Sequence, residues 1–175
     1  MPGRIILLNG PSSSGKSTLA KALQALIREK RNEMYGIVSI DDFMKIAEDE
    51  TIYEDDVFEI SGDMCAKAID EMRTAPGVII DHVITSRRIF DQLREMLGAY
   101  ALYLVRVTCP HEELLRREAE RGNRCPGSAE ASEKYLYPQE GYDLTVNTFA
   151  ASPEACAAVI ADALFAGPGK ALYGA

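Results

Sequence analysis

One stretch constrains this chain more than any other: Gly10-Pro11-Ser12-Ser13-Ser14-Gly15-Lys16-Ser17, followed by Thr18, which fits G-x-x-x-x-G-K-[ST]. It follows an apolar run, Arg4–Asn9, and opens a segment with Leu19, Leu23, Leu26 and Ile27 at helical spacing. The chemistry of phosphate binding asks for these residue types. A loop wrapped round a phosphate turns several backbone N–H groups inward, and glycine permits the dihedrals and the close approach. The helix N-terminus adds partial positive charge at the same point. Lys16 supplies a full charge to β- and γ-phosphates, and the Ser17 hydroxyl is placed to ligate Mg²⁺. A strand, loop, lysine, hydroxyl and helix in register point to a nucleoside triphosphate.

The remaining chain alternates strand-length apolar runs with helical stripes. The runs are Ile5–Asn9, Gly36–Ile40, Val78–Val83, Ala101–Val107 and Leu144–Asn147. Several are apolar at consecutive positions, as expected of parallel strands covered on both faces. Further helical stripes comprise Val57, Ile60, Met64, Ala68 and Met72, then Ile89, Leu93, Met96 and Leu97. Ser152-Pro153-Glu154 supplies a cap, a first-turn proline and an acid. Cys109-Pro110 starts another helix, with Thr108 or Cys109 as its cap and Gly122 as its end. Such alternation predicts an α/β fold, a parallel sheet with helices on both faces. The tail Gly167–Ala175 is expected to be a loose end.

A chain of 175 residues suits one domain, spanning 1–175, with no staple needed. Its net charge of -8 opposes nucleic-acid binding, which needs a basic footprint. No apolar run approaches the ~18 residues of a membrane helix. The N-terminal run is too short for a signal-peptide core. Cys65, Cys109, Cys125 and Cys156 form no C-x-x-C pair, which predicts reduced thiols in a cytoplasmic protein rather than disulfides or zinc.

Three uses of the nucleotide compete: a small-molecule kinase, a GTPase-type switch and a motor subunit. Neither D-x-x-G nor N-K-x-D occurs, which removes the usual signals of the switch. A motor usually needs more chain. The kinase has positive support from acids at strand ends: Asp41 and Asp42 after Gly36–Ile40, and Asp81 after Val78-Ile79-Ile80. Ligands of open α/β sheets bind at the carboxyl ends of strands, so these acids should face the same crevice as Lys16. One carboxylate there can accept the proton of an attacking hydroxyl, and Asp81 can hold Mg²⁺ with Ser17. The residues alone leave Asp41 and Asp42 as alternatives. His82 is expected to be packed rather than catalytic. Arg116, Arg117, Arg121 and Arg124 lie on or just past the helix that begins at Pro110, and the run Gly122–Ser128 is expected to be mobile. Arginines closing over the phosphates would stabilise charge on the transferring group. Four glutamates interleave with them, Glu112, Glu113, Glu118 and Glu120, so a solvated helix face is equally consistent.

The pattern as a whole, "RIILLNGPSSSGKST", "VSIDDF", "GVIIDHV" and above all "REAERGNRCPGSAEASEKYLYPQEGYDLTVNT", resembles the chloramphenicol phosphotransferase family. The resemblance runs from Arg4 to about Leu164. It implies a three-layer α/β/α P-loop kinase fold with a five-stranded parallel sheet in the order 2-3-1-4-5. It also implies a small lid at about 110–140. It implies an ATP- and Mg²⁺-dependent enzyme that places the γ-phosphate of ATP on a primary hydroxyl of the antibiotic. The family's catalytic base then falls on Asp41, its nucleotide cradle on Gly10 to Thr18 and its lid arginines on Arg121 and Arg124.

This sequence departs from that pattern in two places. Asp81-His82 stands where the family usually has two acids, and the segment between Asp42 and Gly77 is shorter. That segment should build much of the acceptor pocket. From Asp41 to Glu71 the chain carries twelve acids against Lys45 and Lys67, which suits a cationic acceptor or the solvated face of a helix; the solvated face is favoured. Phe43, Met44, Tyr53, Val57 and Phe58 are the expected apolar walls. The expected partner is a small hydroxyl-bearing molecule, an antibiotic or another metabolite of the kind taken by shikimate, gluconate or adenylylsulfate kinases. A nucleotide-binding regulator without an acceptor is the alternative from another class.

Overall fold

The first strand, β1 (Arg4–Asn9), sits at the middle of a parallel sheet, and Ile5 to Leu8 are fully buried. The structure, a computed structural model, describes residues 3–44, 52–122 and 125–172. The other strands are β2 (Gly36–Ser39), β3 (Gly77–His82), β4 (Ala101–Thr108) and β5 (Leu144–Asn147), in the order β2-β3-β1-β4-β5. All neighbouring strands run parallel, and the strand order is the expected one.

Both faces of the sheet are covered, which is why its strands are continuously apolar. Ile5, Leu7, Val78, Ile80, Leu102 and Leu104 pack beneath α2 (Glu54–Glu71) and α3 (Arg87–Leu97). The alternate residues Ile6, Leu8, Ile79, Val105 and Val107 pack beneath α1 (Lys16–Arg31) and α6 (Pro153–Ala166). The period of two along each strand thus feeds two cores. The helical stripes read from the sequence are the buried faces of these helices.

Between β4 and β5 lie α4 (His111–Arg121) and α5 (Ser128–Lys134), with a small core of their own at Cys109, Leu114 and Ala129. Gly122 ends α4 in the left-handed conformation, φ 64°. The expected caps Thr108 and Cys109 are not used. Pro110 holds the cap position with ψ 142°, too extended for the helix, and acids Glu112 and Glu113 favour the first turn instead. At α6 the Ser152 hydroxyl does cap, accepting the Ala155 N–H at 3.1 Å.

The tail is not a loose end through Leu172. Leu172 is buried in the core beneath α2 and α3, and Asp143 holds the preceding backbone. One Asp143 carboxylate oxygen accepts the N–H groups of Lys170 at 2.5 Å and Ala171 at 2.8 Å; the other accepts that of Leu104 at 2.8 Å. One carboxylate therefore ties the tail to β4 at the start of β5, a contact that no local pattern announces. Asp143→Ala leaves these donors without their acceptor and is expected to lower stability by about 2–3 kcal/mol, with Asp143→Asn intermediate, in urea unfolding followed by circular dichroism.

Candidate active site

The phosphate loop turns from β1 into α1 with Gly15 at φ 87° and Ser13 at φ 66°. Lys16 is folded over the loop, its Nζ donating to the Pro11 carbonyl at 2.8 Å and lying 3.5 Å from Ser14 Oγ. Gly10 cannot be larger, because a Cβ there would stand 2.4 Å from the Val107 carbonyl oxygen. Ser17 Oγ donates to Asp81 Oδ2 at 2.7 Å, across from the start of α1 to the end of β3. A hydroxyl and a carboxylate oxygen so paired at a phosphate loop have the chemistry of a Mg²⁺ site completed by nucleotide oxygens.

Ser39, unremarked in the sequence, joins the remaining acid to this pair. Its hydroxyl donates to Asp81 Oδ2 at 3.4 Å and accepts the Asp41 N–H at 3.3 Å. A 3-10 turn, Ile40–Asp42, then carries Asp41 to the rim of a cavity of about 580 Å³. Lys16, Ser17, Asp41, Asp81 and Arg121 all line this cavity. Asp42 does not, which separates two acids that the sequence left equivalent. Ser12 and Ser13 of the loop also line it; Gly10, Pro11, Ser14, Gly15 and Thr18 do not, and Thr18 is exposed.

Another part of the cavity wall is apolar: Ile40, Met44, Ile52, Val57 and Val83, with Thr85 and Tyr135 beside them. Of the walls expected from sequence, Met44 and Val57 are present. Phe43 and Phe58 pack on the core instead, and Tyr53 is half exposed. The neighbouring Ile52 takes the place expected of Tyr53. Most described acids of the acidic stretch lie on the outer face of α2, where Asp55 meets Arg88, Asp70 meets Arg73 and Glu71 meets Lys67. Glu54 is the acid of α2 that lines the cavity.

The arginines of α4 divide. Arg117 is held by Glu113 at 2.8 Å and reaches Thr148 at 3.3 Å, lying against Gly15 on the far side of the loop. Arg116 pairs with Glu113 and Glu120 in solvent. Arg121 faces the cavity. Arg124 lies outside the described residues. In the run Gly122–Ser128, expected to be mobile, described residues make hydrogen bonds. Glu118 accepts the Gly127 N–H at 3.2 Å and the Ala129 N–H at 2.8 Å, and Ser128 Oγ donates to the Cys125 carbonyl at 2.6 Å. From α5, Ser132 Oγ accepts the Ser12 N–H at 2.9 Å, which docks α5 on the loop.

The model of the chloramphenicol phosphotransferase-like proteins matches residues 3–165. The chain belongs to this family. Two Mycobacterium tuberculosis proteins, from strains CDC 1551 and H37Rv, each named "Putative O-phosphotransferase", are 29% identical over 176 residues, covering 85% of this chain and 76% of theirs. Among solved structures, the M. tuberculosis APS kinase CysC in complex with AMPPNP and APS superposes with a TM-score of 0.77 at 17% identity. The match covers 94% of this chain and 98% of that one. A gluconokinase from Sinorhizobium meliloti gives 0.64 at 20% identity, covering 94% and 96%. The latter two show the fold, a P-loop kinase fold. Family and fold together support a phosphotransferase. No described helix is long and apolar enough to cross a membrane.

Beneath this family's phosphate loop lie two buried polar side chains, Asn9, whose role the sequence did not announce, and His82. Asn9 is fully buried: its Oδ1 accepts the Ile84 N–H at 2.9 Å, and its Nδ2 donates to the Tyr137 carbonyl at 2.9 Å and Tyr142 Oη at 2.8 Å. It braces the end of β1 against two loops; a lone polar residue closing a buried strand was the available signal. His82 is also fully buried and packed as expected, its Nε2 3.0 Å from Ser61 Oγ. Burial, with the charge of Lys16 adding to it, pushes the His82 pKa down to about 4.

The folded state therefore keeps His82 neutral at pH values where the unfolded chain, near 6.5, takes up a proton. The unfolded state binds more protons below that value, so stability falls as pH drops from 6.5 towards about 4 and this contribution levels off below. His82→Gln should show a shallower loss across that window, by at most about 1.4 kcal/mol per pH unit, in urea titrations at stepped pH.

Proposed function

We propose that this protein transfers the γ-phosphate of ATP, with Mg²⁺, to an alcohol hydroxyl of a small molecule, and that residues 1–175 act as one kinase domain with a lid at about 110–140. The observation that carries this reading is a single cavity that brings Lys16, the Ser17–Asp81 pair and Asp41 together beneath apolar walls.

In this reading the backbone of Gly10 to Thr18 cradles the nucleotide phosphates, with Lys16 turning from the Pro11 carbonyl to β- and γ-phosphate oxygens. Ser17 and Asp81 would hold Mg²⁺, which when bound offsets the charge of the phosphates. Asp41 orients the acceptor hydroxyl and takes its proton as the oxygen attacks the γ-phosphorus and the bond to the β-phosphate oxygen breaks. Arg121 and Arg124 close over the phosphates, stabilise the charge that moves to the bridging oxygen, and help exclude water.

The acceptor is read from the walls. Ile40, Met44, Val57 and Val83 favour an apolar body, and Thr85 and Tyr135 can hydrogen-bond to it. Among the described lining residues Lys16 and Arg121 are the basic ones, and both belong to the phosphate end. An acceptor carrying a carboxylate would meet Asp41 and Glu54 without a counter-charge, so a neutral or cationic alcohol is favoured. Chloramphenicol, the compound in the family's name, is the first to try; an amine-bearing antibiotic or metabolite is the second, on the strength of Glu54.

Two variants separate the roles. Lys16→Met should abolish phosphoryl transfer while far-ultraviolet circular dichroism stays unchanged. Asp41→Asn should keep Mg-ATP binding by calorimetry and lower turnover by about 10²–10⁴. Near-normal turnover in Asp41→Asn, with loss in Asp42→Asn, would assign the base to the other acid. Tight ATP binding with no phosphorylated product from either class of alcohol would favour the regulator.

A further inference from the structure

Asp81 is buried at the end of β3 and lines the cavity, and two serines hold the same oxygen of its carboxylate. Ser17 Oγ donates to Oδ2 at 2.7 Å and Ser39 Oγ donates to it at 3.4 Å, so neither serine occupies Oδ1. The two differ in where they stand. Ser17 lines the cavity and, in the reading above, meets the cation itself, whereas Ser39 does not line it. The route from Ser39 to the chemistry therefore runs through Asp81.

The fold fixes Ser39 in this place from two directions. It ends β2 directly beside Asp81 in the parallel register, and the chain leaves the strand there. The next residues form the 3-10 turn Ile40–Asp42 with Ser39 as its cap, Oγ accepting the Asp41 N–H at 3.3 Å. A serine hydroxyl has two lone pairs and one hydrogen. The Asp41 N–H takes up a lone pair, and the hydrogen goes to Asp81 Oδ2.

Few residue types can do both. Alanine or glycine forms neither bond. An ionised aspartate caps a turn as well as serine does, but it can only accept, and it would set a second negative charge against Asp81. Threonine retains both bonds. A carboxylate that binds a divalent cation is itself held by hydrogen bonds, and losing such a partner typically costs metal affinity about 10–100-fold.

We propose that Ser39 is a positioning residue for the cation: its hydroxyl, aligned by the Asp41 N–H, holds Asp81 through Oδ2 and keeps Oδ1 available to Mg²⁺. The gain in nucleotide binding that Mg²⁺ brings then depends on a side chain outside the cavity. This rests on the reading of Ser17 and Asp81 as the Mg²⁺ pair.

The test is the rise in melting temperature with AMPPNP up to millimolar concentration, a readout that reaches weak binding, in Mg²⁺ and in EDTA. Wild type is compared with Ser39→Ala, Ser39→Cys, Ser39→Thr and Asp81→Asn, and the ratio of the two affinities is the Mg²⁺ enhancement. Ser39→Ala should lower the enhancement about tenfold or more, with its affinity in EDTA within about twofold of wild type. Ser39→Cys fills the space with a weak donor and should follow Ser39→Ala, whereas Ser39→Thr keeps the hydroxyl and should stay close to wild type. Asp81→Asn should lose at least as much as Ser39→Ala. Equal losses in Mg²⁺ and in EDTA, or an unchanged enhancement in Ser39→Ala and Ser39→Cys beside a loss in Asp81→Asn, overturns the proposal and leaves the phosphotransferase reading intact. A wild-type enhancement in Asp81→Asn removes Asp81 from the metal site and overturns the proposal with that assignment. Failure of wild type to bind AMPPNP in Mg²⁺ overturns the phosphotransferase reading as well.

Discussion

Everything in this molecule is arranged around a short backbone that must turn its N–H groups towards an anion where a buried strand becomes a helix. Two left-handed residues, Ser13 and Gly15, make the turn, and the absence of a side chain at Gly10 lets it pass close to β4. A loop with such inward donors holds its shape only if its footing is rigid. That footing is β1, fully buried between β3 and β4 from Ile5 to Leu8, with Asn9 bonded to the loops that follow β3 and α5. The helix beyond supplies its dipole and Lys16 at the same place.

The electrostatics are local. In a chain with a net charge of -8, Lys16 and Arg121 line the cavity together with Asp41, Glu54 and Asp81, and most of the other acids of α2 lie on its outer face. On α2 the described acids largely face solvent or pair with Arg88, Arg73 and Lys67, contacts worth little individually. On α4, Glu113 sits against Arg116 and Arg117, which hold its carboxyl at about 2 and keep these arginines on the helix. Arg121, one turn beyond Arg117, faces the cavity instead. Glu113 and Glu120 thus hold Arg116 and Arg117, while Arg121 lines the cavity.

Much of this was legible from residue order because the signals were local or periodic. The motif Gly10–Ser17 needs only its neighbours, and continuous apolar runs marked strands covered on both faces. Strand order and the choice of Asp41 came from the family resemblance, since pairing between distant strands leaves no local trace. What escaped notice was made by contacts distant in sequence. Ser39 matters because β2 and β3 align it with Asp81; Asp143 matters because it meets the tail; Ser132 matters because α5 docks on Ser12. Of the expected pocket walls Met44 and Val57 line the cavity, Phe43 and Phe58 pack on the core without lining it, and Ile52, Val83 and Tyr135 complete the wall.

The central claim is that a phosphoryl group passes from ATP to a hydroxyl held over Asp41. It is tested most directly by incubating the protein with Mg-ATP carrying heavy oxygen in its γ-phosphate and a mixture of neutral, amine-bearing and carboxylate-bearing alcohols. Mass spectrometry then shows which compound gains the labelled group. The expected product is a labelled neutral or amine-bearing alcohol that disappears with Asp41→Asn. A label found only on water-derived phosphate, or on a carboxylate-bearing alcohol with Asp41→Asn still active, would contradict it.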